Sequence, residues 1–469
     1  MTRLVKGKVP VRRPDVDTLL SVNADGSRNA LHPADVAGRF QRRKQLLWLL
    51  LIAIYLALPW LEIHGHPVLL IDIPARHFFL LGQTFNAQDF WLAFFFVSGL
   101  GFLLFVVAGL WGRVWCGYAC PHTVFLEGVF RRIERWLEGP AAARAKLDKA
   151  PFRQKLVRRG PKMVVFLAIA AVIAHSSLGY FMPVGVLAEA MTSSPAQHPT
   201  AFVFMVAMTA MLFVNFTWFR EQMCIVVCPY GRLQGALYDQ DTVVVGYDQA
   251  RGEPRGALGV AGAKDCVDCF RCVAVCPTGI DIRNGTQLEC VGCANCIDAC
   301  DDVMVKVGRP KGLIRYDSQR GFETGTRRFL RGRVVLYAVL MLLGLGAVLF
   351  AVTKRTPFEA NLLRARGSAY AIEGERVHNV FDLHLTNKQP DRRVFRIEVV
   401  GPEGAEVIVA MREVPLESLG DMRVPVHVYV PKAIWKAGLR CELSVKCEDP
   451  SGEIVRLATA PLLGPSAAR

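Results

Sequence analysis

Eight cysteines between residues 266 and 300 fall into two runs with the same spacing. Within each run, successive cysteines are separated by two, two and three residues. The runs are Cys266, Cys269, Cys272 and Cys276, and then Cys290, Cys293, Cys296 and Cys300. A cubane iron–sulfur cluster needs four thiolates that converge on four irons. Three closely spaced cysteines on one loop serve three irons, so the fourth ligand must come from elsewhere in the chain.

The fourth cysteine of each run supplies this ligand, because in two-cluster ferredoxins it ligates the cluster of the other run. This exchange of the fourth cysteine between the two runs predicts two 4Fe-4S clusters. The predicted ligands are Cys266, Cys269, Cys272 and Cys300 for cluster one, and Cys276, Cys290, Cys293 and Cys296 for cluster two. A zinc site or a disulfide framework is the alternative, but structural zinc usually takes two pairs of ligands rather than two quartets with this spacing.

Four further cysteines occur in two copies of a Cys-x-x-x-Cys-Pro motif. The copies read Trp115-Cys116-Gly-Tyr-Ala-Cys120-Pro121 and Cys224-Ile-Val-Val-Cys228-Pro229. Each copy follows an apolar run and precedes a helical pattern, and proline suits the first turn of a helix. Four thiols at such helix ends suit Cu(I) or thiol–disulfide chemistry. The alternative is that they are buried cysteines packed in a helix bundle.

Membrane helices are among the elements that must position these cysteines. Of the 469 residues, 52% are hydrophobic, and the mean hydropathy of +0.28 is too apolar for a soluble protein of this size. Five runs without Asp, Glu, Lys or Arg approach or exceed the length needed to cross a bilayer core about 30 Å thick. The predicted spans are 46–61, 90–110, 163–182, 201–219 and 334–352.

The basic residues of the loops between these spans predict an orientation. Residues 112–160 are crowded with Arg and Lys, whereas 62–89 contain only Arg76 and 183–200 contain neither. Because cytoplasmic loops carry the excess of positive charge, the N-terminus and the ferredoxin runs are predicted to be cytoplasmic. Iron–sulfur clusters are assembled in reducing compartments, so this argument also predicts that the ferredoxin runs are on the cytoplasmic side. We therefore attribute the net charge of +15 to cytoplasmic loops and not to nucleic-acid binding.

The last hundred residues change character. Apolar and polar residues alternate over 380–385, 394–399, 424–430 and 441–447, and turn-forming sequences separate these runs. This pattern is typical of a small all-β domain, and an Ig-like sandwich is the predicted form. Cys441 and Cys447 share an apolar face and are interpreted as core residues.

These patterns divide the chain into five parts. They are a basic cytoplasmic tail at 1–45, a four-span membrane domain at 46–219 with the second motif at 224–229, a ferredoxin-like domain at 220–333, a fifth span at 334–352, and a periplasmic β domain at 353–469. The predicted fold class is a multi-domain membrane protein. It combines an α-helical transmembrane bundle of about five spans, an inserted two-cluster ferredoxin-like domain and a C-terminal all-β Ig-like sandwich. His64, His66 and His175 stay open as metal or cofactor ligands or as ordinary hydrogen-bonded histidines.

In this order, the features resemble the CcoG/FixG (RdxA) family of cbb3-type cytochrome c oxidase accessory proteins. The resemblance covers residues 40–469. Membrane polyferredoxins of nitrate and nitrous-oxide respiration share the two Cys-x-x-x-Cys-Pro copies, whereas the fifth span followed by a β domain favours CcoG/FixG.

The resemblance implies a multi-pass protein of the bacterial inner (cytoplasmic) membrane. Its implied activity is that of an oxidoreductase, a cupric reductase that converts Cu(II) to Cu(I) for the haem–copper centre of the oxidase. Copper is then the substrate, and Cys116, Cys120, Cys224 and Cys228 are the catalytic thiols that bind or reduce it. The implied partners are the cbb3-type oxidase or its copper-delivery proteins.

Two other functions fit the same motifs. One is a membrane polyferredoxin that takes electrons from quinol or another donor and feeds a periplasmic reductase. The other is an assembly scaffold whose clusters sense the redox state. Indifference to copper favours the first, and normal oxidase assembly after loss of the cluster ligands favours the second.

Overall fold

The computed structural model describes residues 30–63, 66–73, 77–80, 83–85, 90–353, 356–365, 367–389, 391–418, 420–436, 438–449 and 452–465. The chain divides into two units. One consists of residues 1–60 and 93–348, and the other of residues 61–92 and 349–469. The first unit holds the ferredoxin runs and most of the membrane helices, and the second holds the C-terminal β domain.

Within the described residues, five helices have the length and apolar composition of membrane spans, which confirms the predicted number. They are Arg39–Trp60, Trp91–Trp111, Phe152–Leu178, Pro199–Phe219 and Gly332–Thr353. The α-helices of the chain are α1 (Arg39–Ala57), α2 (Phe90–Trp111), α3 (Val114–Tyr118), α4 (Pro121–Phe125), α5 (Arg131–Glu138), α6 (Ala141–Asp148), α7 (Phe152–Leu178), α8 (Val184–Thr192), α9 (Pro199–Val214), α10 (Pro229–Leu237), α11 (Gln249–Gly252), α12 (Arg271–Ala274), α13 (Asn295–Lys306), α14 (Gln319–Thr324) and α15 (Gly332–Thr353). Short π-helical turns occupy Leu126–Phe130, Asn215–Phe219 and Met223–Val227.

The first span begins at Arg39, earlier than the hydropathy pattern predicted, because the ferredoxin region caps it. Asp298 on α13 accepts hydrogen bonds from the backbone N–H groups of Phe40, at 3.3 Å, and Gln41, at 2.8 Å. These N–H groups have no partner within the helix, so a buried carboxylate at this end stabilises its first turn. A contact distant in sequence therefore sets the start of α1.

Small residues bring two spans together. A Cβ added to Gly344 on α15 would lie 3.1 Å from the Cα of Gly99 on α2 and 3.1 Å from the carbonyl oxygen of Phe95. Membrane helices commonly pack through small residues, because backbones then approach closely. This contact joins the fifth span to the second.

A small antiparallel sheet and two helices form the ferredoxin core. Strand β6 (Val244–Tyr247) pairs with β7 (Ile314–Asp317), and α12 packs against α13. The core that they enclose includes Val245, Ile282, Ile297, Met304, Leu313 and Ile314. The two cysteine runs lie between β6 and β7 in sequence and border this core.

The amphipathic pattern after Pro121 predicts a helix in the membrane interface, with Trp136 on its apolar arc and Arg131 and Glu134 on its charged arc. The structure differs in part: Trp136 is 81% exposed, whereas Arg131 and Glu134 are each 1% exposed. Arg131 and Glu134 face inward because partners from distant segments neutralise them. Arg131 pairs with Glu221 at 2.9 Å, and Glu134 pairs with Arg220 at 2.8 Å.

The second unit contains the predicted β sandwich. Its strands are β8 (Phe358–Arg364), β9 (Ala371–Glu373), β10 (Arg376–Asn387), β11 (Arg393–Gly401), β12 (Glu406–Val409), β13 (Glu413–Leu416), β14 (Asp421–Pro431), β15 (Arg440–Asp449) and β16 (Gly452–Pro461). One sheet has the order β12-β14-β10-β8 with β9 beside β10, and the other has the order β13-β11-β15-β16. Cys441 and Cys447 are buried in the core between the sheets, as predicted.

Short strands between the first two spans were not predicted. They are β1 (Glu62–Ile63), β2 (His66–Pro67), β3 (Leu69–Asp72), β4 (His77–Leu80) and β5 (Gln83–Phe85). Strands β3, β4 and β5 form an antiparallel sheet. His64 and the side chain of His66 lie outside the described residues, so the question of whether they bind a metal stays open.

Candidate functional site: three groups of cysteines

The eight cysteines of the two runs line two separate cavities. One cavity is bordered by Cys266, Cys269, Cys272 and Cys300, and the other by Cys276, Cys290, Cys293 and Cys296, with Cys272 also at its edge. Each cavity thus gathers the quartet expected from the exchange of fourth cysteines. Ligation itself stays a prediction.

The chemistry of these cavities fits a cubane cluster. Val245, Ile280 and Val291 line the second cavity, and no carboxylate or imidazole borders it. Burial raises the pKa of Cys290 and of Cys300 to about 12. Thiolates in such apolar surroundings need a neighbouring positive charge, and iron ions supply one.

The same backbone turn recurs in both runs. The residues on either side of the second cysteine have left-handed φ angles: Asp268 and Phe270 flank Cys269, and Gly292 and Ala294 flank Cys293. Burial raises the pKa of Cys269 and of Cys293, and in both runs the backbone N–H two residues later, that of Arg271 or of Asn295, acts against this rise. Backbone N–H groups directed at cluster sulfurs are one of the ways in which proteins set reduction potential.

The structure also brings together the four cysteines of the Cys-x-x-x-Cys-Pro copies, which we call the motif thiols: Cys116, Cys120, Cys224 and Cys228. Cys120 precedes α4 and Cys228 precedes α10, so both lie at helix N-termini as predicted. Burial raises the pKa of Cys116 to about 12, and charge on Cys120 and Cys228 adds to the rise. Burial likewise raises the pKa of Cys224 to about 12, with contributions from the other three. The four side chains therefore form one electrostatically coupled group.

The motif thiols are not arranged as a site for a single metal ion. Among the residues that the structure describes, no three His, Cys, Asp or Glu side chains stand close enough together to hold one. The same finding includes the eight ferredoxin cysteines, which line two cavities. A lone metal with metal–sulfur bonds of about 2.3 Å requires closer sulfurs. In this arrangement the motif thiols could hold a single ion through two sulfurs at most.

The motif thiols adjoin the predicted cluster two. A Cβ added to Gly117, which follows Cys116, would lie 2.8 Å from the carbonyl oxygen of Val291 and 2.9 Å from the Cα of Cys293. Helix α3 therefore rests directly on the loop that carries two predicted ligands of cluster two. Lys44 on α1 fixes the same loop by donating to the carbonyl oxygen of Cys293 at 2.7 Å.

A cavity of about 30 Å³ borders both Cys224 and Cys293. Its lining includes the side chains of Lys44, Arg131 and Glu221. A cavity of this size has room for a water molecule where polar groups border it. Charged side chains thus lie between Cys224 and the ferredoxin loop, within a lining that is otherwise mostly apolar.

Buried ion pairs hold this region together. Glu134 accepts from Arg220, from Lys162 at 3.1 Å and from Arg144 at 3.4 Å. Burial alone raises the pKa of Glu134, but the cations outweigh it and hold the pKa well below its usual value. Arg131 also donates to the carbonyl oxygen of Pro277, at 3.5 Å, next to Cys276. The ion pairs thus connect the first motif segment, the second motif segment and the ferredoxin run.

His122 is a positioning residue that sequence reasoning missed. Its Nε2 donates to the carbonyl oxygen of Arg220 at 3.0 Å, and its Nδ1 accepts from Asn215 at 3.2 Å. Burial lowers the pKa of His122, which favours the neutral ring that these bonds require. Its position directly after Cys120-Pro121 was the sequence signal that could have identified it.

His175 donates from Nδ1 to the carbonyl oxygen of Ala171 in its own helix, at 2.7 Å, as an ordinary hydrogen-bonded histidine does.

Comparisons with known proteins place the chain in a family. Protein RdxA of Cereibacter sphaeroides is 35% identical over 91% of this chain and 94% of its own length. Nitrogen fixation protein FixG of Rhizobium meliloti is 34% identical over 95% of each chain. The chain belongs to the FixG/RdxA family. Protein RdxB of Cereibacter sphaeroides is 36% identical over 79% of this chain and 82% of its own.

Family profiles match three parts of this FixG/RdxA protein. A 4Fe-4S dicluster domain matches residues 219–319, a 4Fe-4S binding domain matches 91–140, and the Ig-like fold at the C-terminus of FixG matches 348–465. Among solved structures, that of a FixG-related protein from Vibrio parahaemolyticus matches 23% of this chain and 97% of that one, at 16% identity and a TM-score of 0.20. The protein is a multi-pass membrane iron–sulfur protein of electron transfer with an Ig-like C-terminal domain.

Proposed function

We propose that this FixG/RdxA protein is a cupric reductase in the assembly of cbb3-type cytochrome c oxidase. The contact of Gly117 with the backbone of Cys293 carries the proposal, because it sets the motif thiols against the predicted ligand loop of cluster two. When bound, 4Fe-4S clusters supply single electrons, and many do so at low potential.

The motif thiols provide the copper site in this proposal. Each Cu(II) gains one electron from the reduced ferredoxin domain and becomes Cu(I). Thiolates are soft ligands that prefer Cu(I), so they favour the product of this step. Copper binding releases the thiol protons of the sulfurs that ligate it. The cavity between Cys224 and Cys293 has room for a water molecule that can accept such a proton.

The location and partners of the protein belong to the same proposal. The basic segment at 112–160 supports a cytoplasmic ferredoxin domain in the bacterial inner membrane, with the β domain in the periplasm. The Cu(I) would pass to a copper-delivery protein or to the oxidase itself.

A reduction assay on the full chain tests this function. The protein is purified without oxygen and reduced with dithionite, excess reductant is removed, and Cu(II) is added with a cuprous chelator present. Two singly reduced clusters supply two electrons, so we expect about two Cu(I) per protein above the background. The background is measured on protein with oxidised clusters, because thiols alone reduce Cu(II) as they form disulfides. Equal Cu(I) from reduced and oxidised protein would contradict the proposal.

A second function, electron transfer without copper, is favoured by the match of residues 91–140, which hold Cys116 and Cys120, to a 4Fe-4S binding domain. Together with Cys224 and Cys228, these two thiols would supply the four ligands of a third cluster. Iron content distinguishes the two functions. Two clusters give about eight irons per protein and three give about twelve. If serine at the four motif positions removes about four irons, the thiols carry electrons and the copper assignment fails.

A further inference from the structure

Two histidines face each other on the outer surface of the five-stranded sheet of the β domain. His378 lies on β10 and His427 on β14, and Val380 is the direct cross-strand partner of His427. The Nε2 of His378 stands 3.0 Å from the Nδ1 of His427. The alternating pattern did not single out either residue, because the histidines occupy outward positions between core residues.

A carboxylate fixes the protonation of the first histidine. His378 donates from Nδ1 to Glu373 on β9 at 2.9 Å, so its Nε2 carries the lone pair that faces His427. Imidazoles that ligate metals almost always donate their other N–H in this way, to a carboxylate, a carbonyl group or water.

An aromatic ring holds the same imidazole in place. The ring of Tyr429 stacks on His378, with centroids 4.2 Å apart and planes 10° apart. The side chain of His378 is 12% exposed although it lies on the outer face. The donor nitrogen is therefore pre-positioned before any ligand arrives, which lowers the entropic cost of binding.

The separation of the nitrogens indicates a particular coordination geometry. Metal–imidazole bonds are about 2.0–2.1 Å long, so two nitrogens 3.0 Å apart subtend an angle of about 95° at a shared ion. This angle is close to the square arrangement of Cu(II) and smaller than the tetrahedral angle of zinc.

We propose that His378 and His427 form a binding site for a cupric ion, with Glu373 orienting His378. In the free protein Nδ1 of His427 donates to Nε2 of His378, so ion binding moves the proton of His427 to its Nε2 and frees the Nδ1 lone pair. The described residues provide no third His, Cys, Asp or Glu ligand here, so water or a donor group from a partner completes the coordination. An ion with open coordination positions is readily transferred to another protein. The proposal concerns binding of Cu(II) and does not depend on reduction at the motif thiols.

Titration with Cu(II) alone, followed by electron paramagnetic resonance, tests the site. The sample is untagged full-length protein with oxidised clusters and serine at the four motif positions, so that copper has no thiol there. We expect a tetragonal Cu(II) signal with coupling to two nitrogens at one equivalent. His378→Gln or His427→Gln should weaken binding at least tenfold and remove the two-nitrogen pattern. Glu373→Gln should weaken it by about 10- to 100-fold.

His384→Gln is the matched control. His384 lies on the same strand and pairs with Asp421 at 2.9 Å, and we expect Cu(II) binding to be unchanged in this variant. Circular dichroism and melting temperature check that each variant folds, which is expected at outward positions of a sheet. If Cu(II) binding is unchanged in both His378→Gln and His427→Gln, the histidines are only a hydrogen-bonded pair. The same conclusion follows if the Cu(II) signal of the parent protein shows no coupling to two nitrogens. Either result would leave the reductase proposal intact.

Discussion

Gly117 packs directly on the backbone of Cys293, so closely that a Cβ at position 117 would lie 2.9 Å from both the amide nitrogen and the Cα of that cysteine. The contact joins a Cys-x-x-x-Cys-Pro motif to a ferredoxin loop almost two hundred residues away in sequence. It turns two separate cysteine motifs into neighbouring parts of one redox site.

Gly117→Ala tests this contact. The added methyl group would meet backbone atoms, which cannot rotate away as a side chain does, so helix α3 and the loop must separate. Because electron transfer slows steeply with distance, we expect Cu(I) formation to slow about tenfold or more while total iron stays unchanged. Gly160→Ala is the control, since a Cβ there meets no atom within 4 Å. Equal rates in the two variants would show that α3 is not on the electron path.

The exchange of fourth cysteines predicts which single variants resemble each other. Cys300→Ala should damage the same cluster as Cys266→Ala, and Cys276→Ala the same cluster as Cys293→Ala. Paramagnetic resonance of the reduced variants identifies the cluster that remains. If Cys300→Ala instead leaves the spectrum seen in Cys293→Ala, the exchange is wrong.

Asp298→Ala should destabilise the junction between the first span and the ferredoxin domain. The variant leaves the N–H groups of Phe40 and Gln41 without their carboxylate partner. Loss of a cap of this kind costs about 0.5–2 kcal/mol. Thermal unfolding in detergent measures the loss. Asp302→Ala is the control, because Asp302 pairs with Lys306 on the surface of the same helix. An equal loss of stability in Asp302→Ala and Asp298→Ala would contradict the capping role of Asp298.

Glu134→Gln should be more damaging, because it leaves Arg220, Lys162 and Arg144 buried without their shared anion. Removing one partner of a buried ion pair costs about 3–5 kcal/mol. The pKa of Glu134 is depressed in the folded state, so its contribution is full above about pH 4.5, the usual carboxyl value, and is lost as the pH falls through the folded pKa. The melting difference between parent and variant should therefore shrink under acid. The exposed Glu323→Gln should show no such difference.

Membrane orientation is tested by fusing alkaline phosphatase to the chain, since this enzyme is active only where disulfides form. We expect activity after Arg469 and none after Gly325, because the basic segment at 112–160 should be cytoplasmic. The reverse pattern would overturn the proposed topology.

Local patterns were sufficient to predict much of this protein. Runs of apolar residues, cysteine spacing and strict alternation predicted the five spans, the 4Fe-4S domain and the Ig-like sandwich, because each depends on neighbours in sequence. The contacts between these parts were not predictable. The start of α1 depends on Asp298, and the inward position of Arg131 and Glu134 depends on Glu221 and Arg220.

The histidine pair of the β domain was missed for a related reason. His378 and His427 meet through strand register, which alternation within one strand does not specify. The π-helical turn at Met223–Val227, which carries Cys224, also has no sequence signature that we recognised.

The most direct test of the account follows both redox partners in one mixing experiment. Reduced protein is mixed with Cu(II), and the visible absorbance of the clusters is recorded together with the Cu(I)–chelator complex. The account predicts one Cu(I) for each cluster oxidised, with the same time course, and loss of both signals when Cys116, Cys120, Cys224 and Cys228 are changed to serine. Clusters that stay reduced in the presence of Cu(II), or that are oxidised equally fast in the quadruple variant, would contradict it.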